Sequence, residues 1–185
     1  MSLRYVDIYR IPVKDYTRRG KTYLSMLQVK ELLTGVIEVE EKIDGKRLRV
    51  PVEDYILYKE HCRQVHTIRY SKLPAWAICF DIWTNGRFLD RDAKMEILGI
   101  LGVPAAPILF HGETHSLTVL TDLIGSPSAY GAERIEGIVI KNPEKQLFGK
   151  IVDPLFDQEV DSSKHHLRRS FEMNRLDVTG AYINE

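Results

Sequence analysis

Residues 36–47 read VIEVEEKIDGKR, and this stretch carries more information than any other in the chain. Apolar and acidic residues alternate at its start, a pattern that predicts a strand with one buried and one accessible face. Lys42 ends the strand, and Asp44 and Gly45 follow it as a tight-turn signal. A charged hairpin tip would show the same pattern, so the stretch predicts local structure and leaves the function open.

The composition is that of an ordinary globular chain. Its 185 residues are 44% hydrophobic and 28% charged, which excludes the collagen-like, disordered and disulfide-stapled classes. Lys+Arg and Asp+Glu both number 26, so a polybasic nucleic-acid binder is not expected, although a local basic groove is compatible with this balance. Cys62 and Cys79 form no CxxC pair and indicate a reducing compartment. Because the chain has neither an apolar run of about 18 residues nor a signal-peptide pattern, we expect a cytoplasmic protein without a membrane span.

A second informative stretch is IEGIVIK at residues 135–141. It alternates like the first and carries Glu136 and Lys141, although an exposed strand with charged ends would look the same. Strands outnumber helices in the chain, so the sequence predicts an α+β fold of antiparallel sheets with flanking helices. The predicted strands are 36–42, 47–52, 55–58, 76–83, 105–110, 135–141 and 146–152, and the predicted helices are 22–34, 91–101 after a cap at Asp90, 114–123 and 163–174.

The order of five motifs resembles the covalent nucleotidyltransferases, which include ATP-dependent RNA ligases, DNA ligases and mRNA capping enzymes. Residues 42–45 (KIDG) resemble motif I, and residues 136–141 (EGIVIK) resemble motif IV. The resemblance implies a nucleotidyltransferase core, ATP-grasp-like, of antiparallel sheets with flanking helices and no OB-fold domain. The other matching stretches are 58–61 (YKEH, motif III), 79–83 (CFDIW, motif IIIa, whose Phe-Asp pair is typical of the RNA-ligase branch) and 149–156 (GKIVDPLF, motif V).

The same resemblance implies catalytic roles for three residues. Lys42 matches the lysine whose amine attacks the α-phosphate of ATP to form lysyl-AMP. Glu136 matches the residue that orients this nucleophile and binds Mg²⁺ or Mn²⁺, and Lys150 matches a lysine that contacts the α-phosphate. The resemblance also assigns a nucleotide-binding role to Glu41, Asp44, Gly45, Arg47, Glu60, Phe80, Asp81 and Lys141.

Several of these assignments have a structural alternative. Phe80 would stack on adenine and Glu60 would accept a hydrogen bond from the ribose, but such residues are more often core and surface residues, respectively. Asp81 is harder to explain structurally, because an acid inside an apolar strand needs a partner. The His- and Arg-rich stretch 61–70 predicts a polynucleotide contact and an exposed loop equally well.

The chain departs from the family pattern at two motifs. The short interval between motifs I and III contains no match to motif Ia, and Arg47 or Arg49 is the nearest substitute for its arginine. Motif V of the family has two cations two positions apart, whereas this chain has Phe148 before Lys150.

The resemblance therefore predicts an RNA-ligase-like enzyme with a nucleotidyltransferase domain at 1–156 and a helical, basic tail at 157–185, which is too short for an OB-fold. It would form lysyl-AMP from ATP and transfer AMP to the 5′-phosphate of RNA for strand joining in RNA repair. The expected partner is RNA with nicked or broken ends, and the oligomeric state is left open. The alternatives are a diverged, non-catalytic RNA-binding module and a guanylyltransferase that uses GTP.

Overall fold

The computed structural model describes residues 5–13, 17–163 and 172–177. Over these ranges strands and helices combine in an α+β fold, so the predicted fold class is confirmed. No helix within them is long and apolar enough to cross a membrane. The strands are β1 (Tyr9–Arg10), β2 (Val36–Glu41), β3 (Lys46–Val52), β4 (Tyr55–His61), β5 (Ala77–Thr84), β6 (Arg87–Phe88), β7 (Ile108–Glu113), β8 (Gly137–Asn142) and β9 (Leu147–Val152), and the helices are α1 (Met26–Leu32), α2 (Arg91–Leu101), α3 (Leu117–Thr121) and α4 (Pro154–Ser163).

The strands form two sheets. The first has the order β1-β9-β8-β2-β7, and the second is a meander in the order β3-β4-β5-β6. All neighbouring strands in these sheets are antiparallel except β1 and β9, which are parallel. The chain passes from the first sheet to the second through residues 42–45, directly after β2. The KIDG stretch therefore lies where the two sheets are joined.

Strand β2 is buried on both faces. Ile37 and Val39 are 0% exposed and belong to the apolar core of the first sheet. Glu38 and Glu40, on the opposite face, are only 2% and 1% exposed, so the predicted accessible face is wrong. Lys94 of α2 is 1% exposed and forms ion pairs with both glutamates. The helix thus covers the acidic face and places a positive charge beside the two glutamates. This charge compensates the buried carboxylates for their loss of contact with water.

The helices with strong end signals form where the sequence predicts them. Helix α2 begins after Asp90, whose side chain accepts a backbone hydrogen bond, and it ends at Gly102 with φ of 62°. Helix α1 is shorter than predicted, because Ser25 and Gln28 form a capping box that starts it inside the predicted range. Helix α3 lies within the predicted 114–123.

Other elements lack such signals. Strands β1 and β6 have two residues each and were not predicted, and α4 begins at Pro154, three residues before the predicted helical tail at 157–185. The predicted helix 163–174 lies largely outside the described residues, and 172–174 are not helical. Helix α4 crosses residue 156, and the division of the chain into two domains at that position stays a prediction.

Asn174 connects the end of the described chain to the loop between β4 and β5. Its side-chain oxygen accepts a hydrogen bond from Tyr70 N at 2.7 Å, and its amide donates to Cys62 O at 2.7 Å. Asn174 itself is 3% exposed. This single side chain therefore satisfies several buried backbone groups of the loop.

Gly137 allows β8 and β9 to lie unusually close together. A Cβ at this position would overlap Ile151 O and lie 2.8 Å from Val152 Cα. We expect Gly137→Ala to lower the free energy of unfolding by about 1–3 kcal/mol, because the strands must separate. Gly99→Ala is the control, because nothing lies within 4 Å of its Cβ position on α2 and alanine favours a helix by about 0.5–1 kcal/mol. Urea unfolding measures both variants, and equal stabilities would contradict the close approach.

Candidate active site

Lys42 lies where the chain leaves β2, and its Nζ forms an ion pair with Glu136, the residue before β8. The backbone N–H of Lys42 also donates to Gly137 O at 2.9 Å. The main chains of motifs I and IV therefore hold the two side chains together. The Lys42 side chain is 25% exposed and the Glu136 side chain is 7% exposed. The amine is thus accessible to a ligand, while the carboxylate that orients it is buried.

Lys150 of β9 lies beside this pair. In the sheet it is opposite Val139 of β8 and Arg10 of β1. Its side chain makes no hydrogen bond or ion pair with any residue that the structure describes. Burial and the positive charges of Lys42 and Arg10 lower the pKa of Lys150 to about 8. A largely buried cation without a partner is suited to bind an anion.

Two cavities share Lys42 and Lys150 in their walls. The larger one, of about 570 Å³, is lined by five basic and three acidic residues. Two of the basic residues, Arg10 and Arg18, bind Asp157 of α4, and Arg10 Nη2 lies 2.8 Å from Asp157 Oδ1. The excess of positive charge around an accessible amine favours phosphate groups as ligands.

The smaller cavity has the walls expected of a site for a flat ring. Phe80 of β5 and Val139 of β8 line it, together with Tyr5. Its volume is about 50 Å³. Lys42, Arg47 and further charged groups complete the lining. Of its twelve lining residues, five are apolar or aromatic and seven are charged, so the cavity combines an apolar wall with polar groups that can orient a ligand.

Glu60 of β4 lies in the wall of the smaller cavity, opposite Arg47 of β3. Glu60 Oε1 is 3.8 Å from Arg47 Nε. Burial raises the pKa of Glu60 to about 7, because the positive charges of Lys42 and Arg47 offset only part of its effect. The second oxygen, Oε2, is buried without a hydrogen-bond partner among the described residues. One acceptor of this carboxyl group is therefore left for a ligand.

Glu136 also has an oxygen without a partner in the described part of the chain. Its Oε2 is buried and makes no hydrogen bond there, and burial raises the pKa of Glu136 even though Lys42 lowers it. Mg²⁺ is usually held by one or two carboxylates and by substrate phosphates. The described residues contain no group of three His, Cys, Asp or Glu that could hold a metal ion. The donor set thus fits a cation whose coordination is completed by a phosphate ligand.

Lys141 has no free donor for a phosphate. Its Nζ donates to Glu40 Oε2 at 2.6 Å, to Phe80 O at 2.6 Å and to Asp81 Oδ1 at 2.8 Å, which uses all three of its donors. Burial by itself lowers the pKa of Lys141, but the carboxylates of Asp81 and Glu40 outweigh it and raise the pKa. Lys141 therefore acts on the cavity by fixing Phe80 and Asp81. Asp81, 1% exposed, has the partner that its burial requires.

Asp44 and Gly45 line neither cavity and form the turn that follows Lys42. Asp44 Oδ2 accepts hydrogen bonds from the backbone N–H groups of Thr67 and Ile68, both at 2.7 Å. A Cβ on Gly45 would lie 2.8 Å from His61 O. Glycine is therefore required at position 45 because its backbone lies close to the backbone of His61 at the end of β4.

The structure brings most of the predicted site residues to these cavities. Glu41 lies in the wall of the smaller one and accepts a hydrogen bond from Ser128 Oγ at 2.5 Å, which fixes a neighbouring loop. Asp44, Gly45 and Asp81 line neither cavity. The predicted residues that line one or both cavities are Glu41, Lys42, Arg47, Glu60, Phe80, Glu136, Lys141 and Lys150.

Among the lining residues that were not predicted are Tyr5, Arg10, Arg18 and Val139. Val139 had a usable signal, because it lies two residues before Lys141 on an alternating strand and therefore on the same face. The other three precede motif I, where no repeat or spacing marks them.

The model of the RNA ligase family matches residues 17–156. The chain belongs to the RNA ligase family. No curated protein matches this RNA ligase family member.

Solved structures of ligases share the fold of this RNA ligase family member. Naegleria gruberi RNA ligase with PPi has a TM-score of 0.60 and 17% identity, and the match covers 74% of this chain and 55% of that chain. A mutant of the same enzyme with ATP and Mn has a TM-score of 0.60 and 16% identity, covering 75% and 55%. A chain from Aquifex aeolicus assigned as an ATP-dependent DNA ligase has a TM-score of 0.56 and 18% identity, covering 80% and 49%. The chain thus spans about half the length of these structures, and at such identities the likeness shows the fold.

Glu60 gives this RNA ligase family member a testable dependence of stability on pH. The carboxyl group of the unfolded chain ionises near its ordinary pKa of 4.5, whereas that of the folded chain ionises near 7. The cost of ionising it in the fold is absent below pH 4.5, grows as pH rises and is complete above pH 7. We expect Glu60→Gln to be stabilised relative to the wild type by about 2 kcal/mol more at pH 8 than at pH 5.

Denaturant unfolding at the two pH values measures this difference. Glu31→Gln is the control, because Glu31 is exposed on α1, and its stability relative to the wild type should change little with pH. The same difference for Glu60→Gln at both pH values would show that burial does not perturb this carboxyl group.

Proposed function

We propose that this RNA ligase family member is a nucleotidyltransferase that forms lysyl-AMP from ATP on Lys42 and passes AMP to the 5′-phosphate of RNA for strand joining. The observation that supports this most strongly is the convergence of Lys42, Glu136 and Lys150 where a cationic cavity meets an aromatic one. The first cavity suits phosphates, and Phe80 gives the second an aromatic wall for a base.

In the first step, the unprotonated amine of Lys42 attacks the α-phosphorus of ATP. A phosphorus–nitrogen bond forms, the bond from the α-phosphorus to the bridging oxygen breaks, and pyrophosphate leaves. Glu136, the ion-pair partner of Lys42, has a pKa raised by burial. It takes a proton from the ammonium group and then orients the neutral amine through a hydrogen bond. Lys150, which has no partner among the described residues, places a positive charge where negative charge develops on the α-phosphate.

Glu136 is the proposed protein ligand of Mg²⁺ or Mn²⁺, and its buried Oε2, without a partner among the described residues, supports this role. A bound cation neutralises charge on the substrate phosphates. Structures of Naegleria gruberi RNA ligase with ATP and Mn support the choice of ATP and a divalent cation. Glu60 Oε2 is the proposed acceptor for a ribose hydroxyl, and Phe80 and Val139 are the proposed walls around adenine.

RNA is the proposed partner in the later steps. AMP passes to a 5′-phosphate, and a 3′-hydroxyl then attacks that phosphate, joins the strands and releases AMP. The stretch 61–70 is the proposed polynucleotide contact, because Asp44 holds it close to Lys42 and its Arg63 and Arg69 side chains are exposed. Phosphate contacts of this kind position a nucleic acid without reading its sequence.

One observation favours a second candidate, a diverged RNA-binding module without catalysis. Phe148 replaces a cation of motif V, and its ring packs on Phe88 with 5.1 Å between centroids. An aromatic side chain there cannot bind the α-phosphate as a lysine would. The labelling experiment below separates this candidate from the enzyme.

Incubation with α-labelled ATP and Mg²⁺ or Mn²⁺ tests the first step. We expect acid-labile label that survives denaturation of the wild type and that is absent from Lys42→Ala, because the alanine variant lacks the nucleophile. Lys30→Ala is the control, since Lys30 is exposed on α1, and it should be labelled like the wild type. Binding of nicked RNA without label from ATP or GTP would support the RNA-binding module, and label from GTP alone would support a guanylyltransferase.

Lys150 gives nucleotide binding a dependence on pH. With a pKa of about 8, its side chain is charged at neutral pH and increasingly neutral above pH 8, so anion binding weakens as pH rises. We expect the wild-type affinity for ADP to fall by up to about tenfold between pH 7.5 and 9. Lys150→Arg should remove most of this fall, because arginine stays charged. Parallel pH profiles for the two proteins, measured by calorimetry, would contradict the role of Lys150.

A further inference from the structure

We propose that Tyr5 occupies the position of the nucleobase and competes with it, so that this residue determines the affinity of the site for nucleotides. The inference rests on the proposed function, since it takes the cavity beside Phe80 as the base site. It adds a residue outside the five motifs to the set that controls nucleotide binding.

The ring of Tyr5 fills the aromatic side of the smaller cavity. Its centroid lies 5.2 Å from that of Phe80 and 4.7 Å from that of Tyr58. The hydroxyl group donates a hydrogen bond to Asp81, and the guanidinium carbon of Arg47 lies 4.9 Å from the ring centroid. The ring meets Phe80 edge to face, with 88° between the ring planes. Aromatic contacts, a hydrogen bond to a carboxylate and a cation over the ring are interactions by which proteins bind bases.

The space that remains is too small for a base. The cavity beside Phe80 measures about 50 Å³, whereas small-molecule sites have about 300–1,000 Å³. The cavity of about 570 Å³ does not include Phe80 in its lining, so it offers room for phosphates and no aromatic wall from motif IIIa. A base can therefore stack on Phe80 only after the Tyr5 ring moves.

The chain around Tyr5 allows this movement without breaking a strand. Val6 and Asp7 are exposed, and residues 5–7 make no backbone hydrogen bond with another described residue. Strand β1 begins four residues later, at Tyr9. Asp81 keeps its ion pair with Lys141 when Tyr5 leaves, so departure leaves no buried charge without a partner.

Competition of this kind weakens the apparent affinity by a definite factor. The apparent dissociation constant is the intrinsic constant divided by the fraction of molecules in which the pocket is vacant. If Tyr5 fills the pocket in about nine molecules of ten, its removal tightens binding about tenfold.

Titration of ADP in the absence of divalent metal, followed by calorimetry, measures this factor in the full chain. We expect Tyr5→Ala to bind ADP about tenfold or more tightly than the wild type. Trp83→Ala is the matched control, because Trp83 packs on Phe88 at 4.8 Å in the same aromatic cluster but lines neither cavity. Its affinity should equal that of the wild type.

Tyr5→Phe keeps the ring, loses the hydrogen bond to Asp81 and should show a smaller tightening in the same direction. If Tyr5→Ala does not fold, the ADP affinity of Tyr5→Phe compared with that of the wild type tests the proposal. Unchanged affinity would overturn the proposal, and weaker affinity would overturn it by showing that Tyr5 is a wall that contacts the base.

Nitration of tyrosine by tetranitromethane, mapped by mass spectrometry, tests the movement directly. Tyr5 is 6% exposed, and ADP should increase its modification by several-fold because the ring leaves the pocket. No change in modification, or protection from it, would overturn the proposal.

Labelling of Lys42 in the wild type by α-labelled ATP is measured separately. Tighter binding without labelling would reject the ligase chemistry and retain this inference, and labelling without tighter binding would reject this inference alone.

Discussion

Two buried lysines connect the two sheets, and the geometry of the site depends on them. Lys94 of α2 and Lys141 of β8 both bind Glu40 of β2, and they also lie 3.4 Å and 2.6 Å from Phe80 O in β5. Removing one partner from such a cluster costs about 3–5 kcal/mol, because a buried charge is left uncompensated. Since the partners come from both sheets, the cluster fixes the distance between the strand that leads to Lys42 and the strand that carries Phe80.

Elements with local signals could be predicted from the sequence. The cap at Asp90 and the left-handed residue at Gly102 define α2 through contacts with adjacent residues, and alternation was sufficient for β2 and β8. The burial of the acidic face of β2 could not be predicted, because Glu40 is neutralised by Lys94, which is 54 positions away in sequence. Alternation shows which residues share a face but not what covers that face.

The same distinction applies to the site. The order of the motifs was sufficient to predict that Lys42, Glu136 and Lys150 lie together. In the structure they lie on or next to neighbouring strands of one sheet. It could not show the contributions of Tyr5 and Arg10, whose partners Asp81 and Asp157 are 76 and 147 positions away. Such long-range contacts produce no periodic pattern in the sequence, and only the folded structure shows them.

The support of the turn after Lys42 extends to the far end of the described chain. Asn174 holds the backbone N–H of Tyr70, and the Tyr70 hydroxyl accepts a hydrogen bond from Asp44 N at 2.9 Å. The turn after Lys42 is therefore braced by a residue that lies outside every motif and lines neither cavity. Removing residues 172–177 would take away this brace without removing any residue of the two cavities, and Lys42 would then be held by its contacts with Glu136 and Gly137.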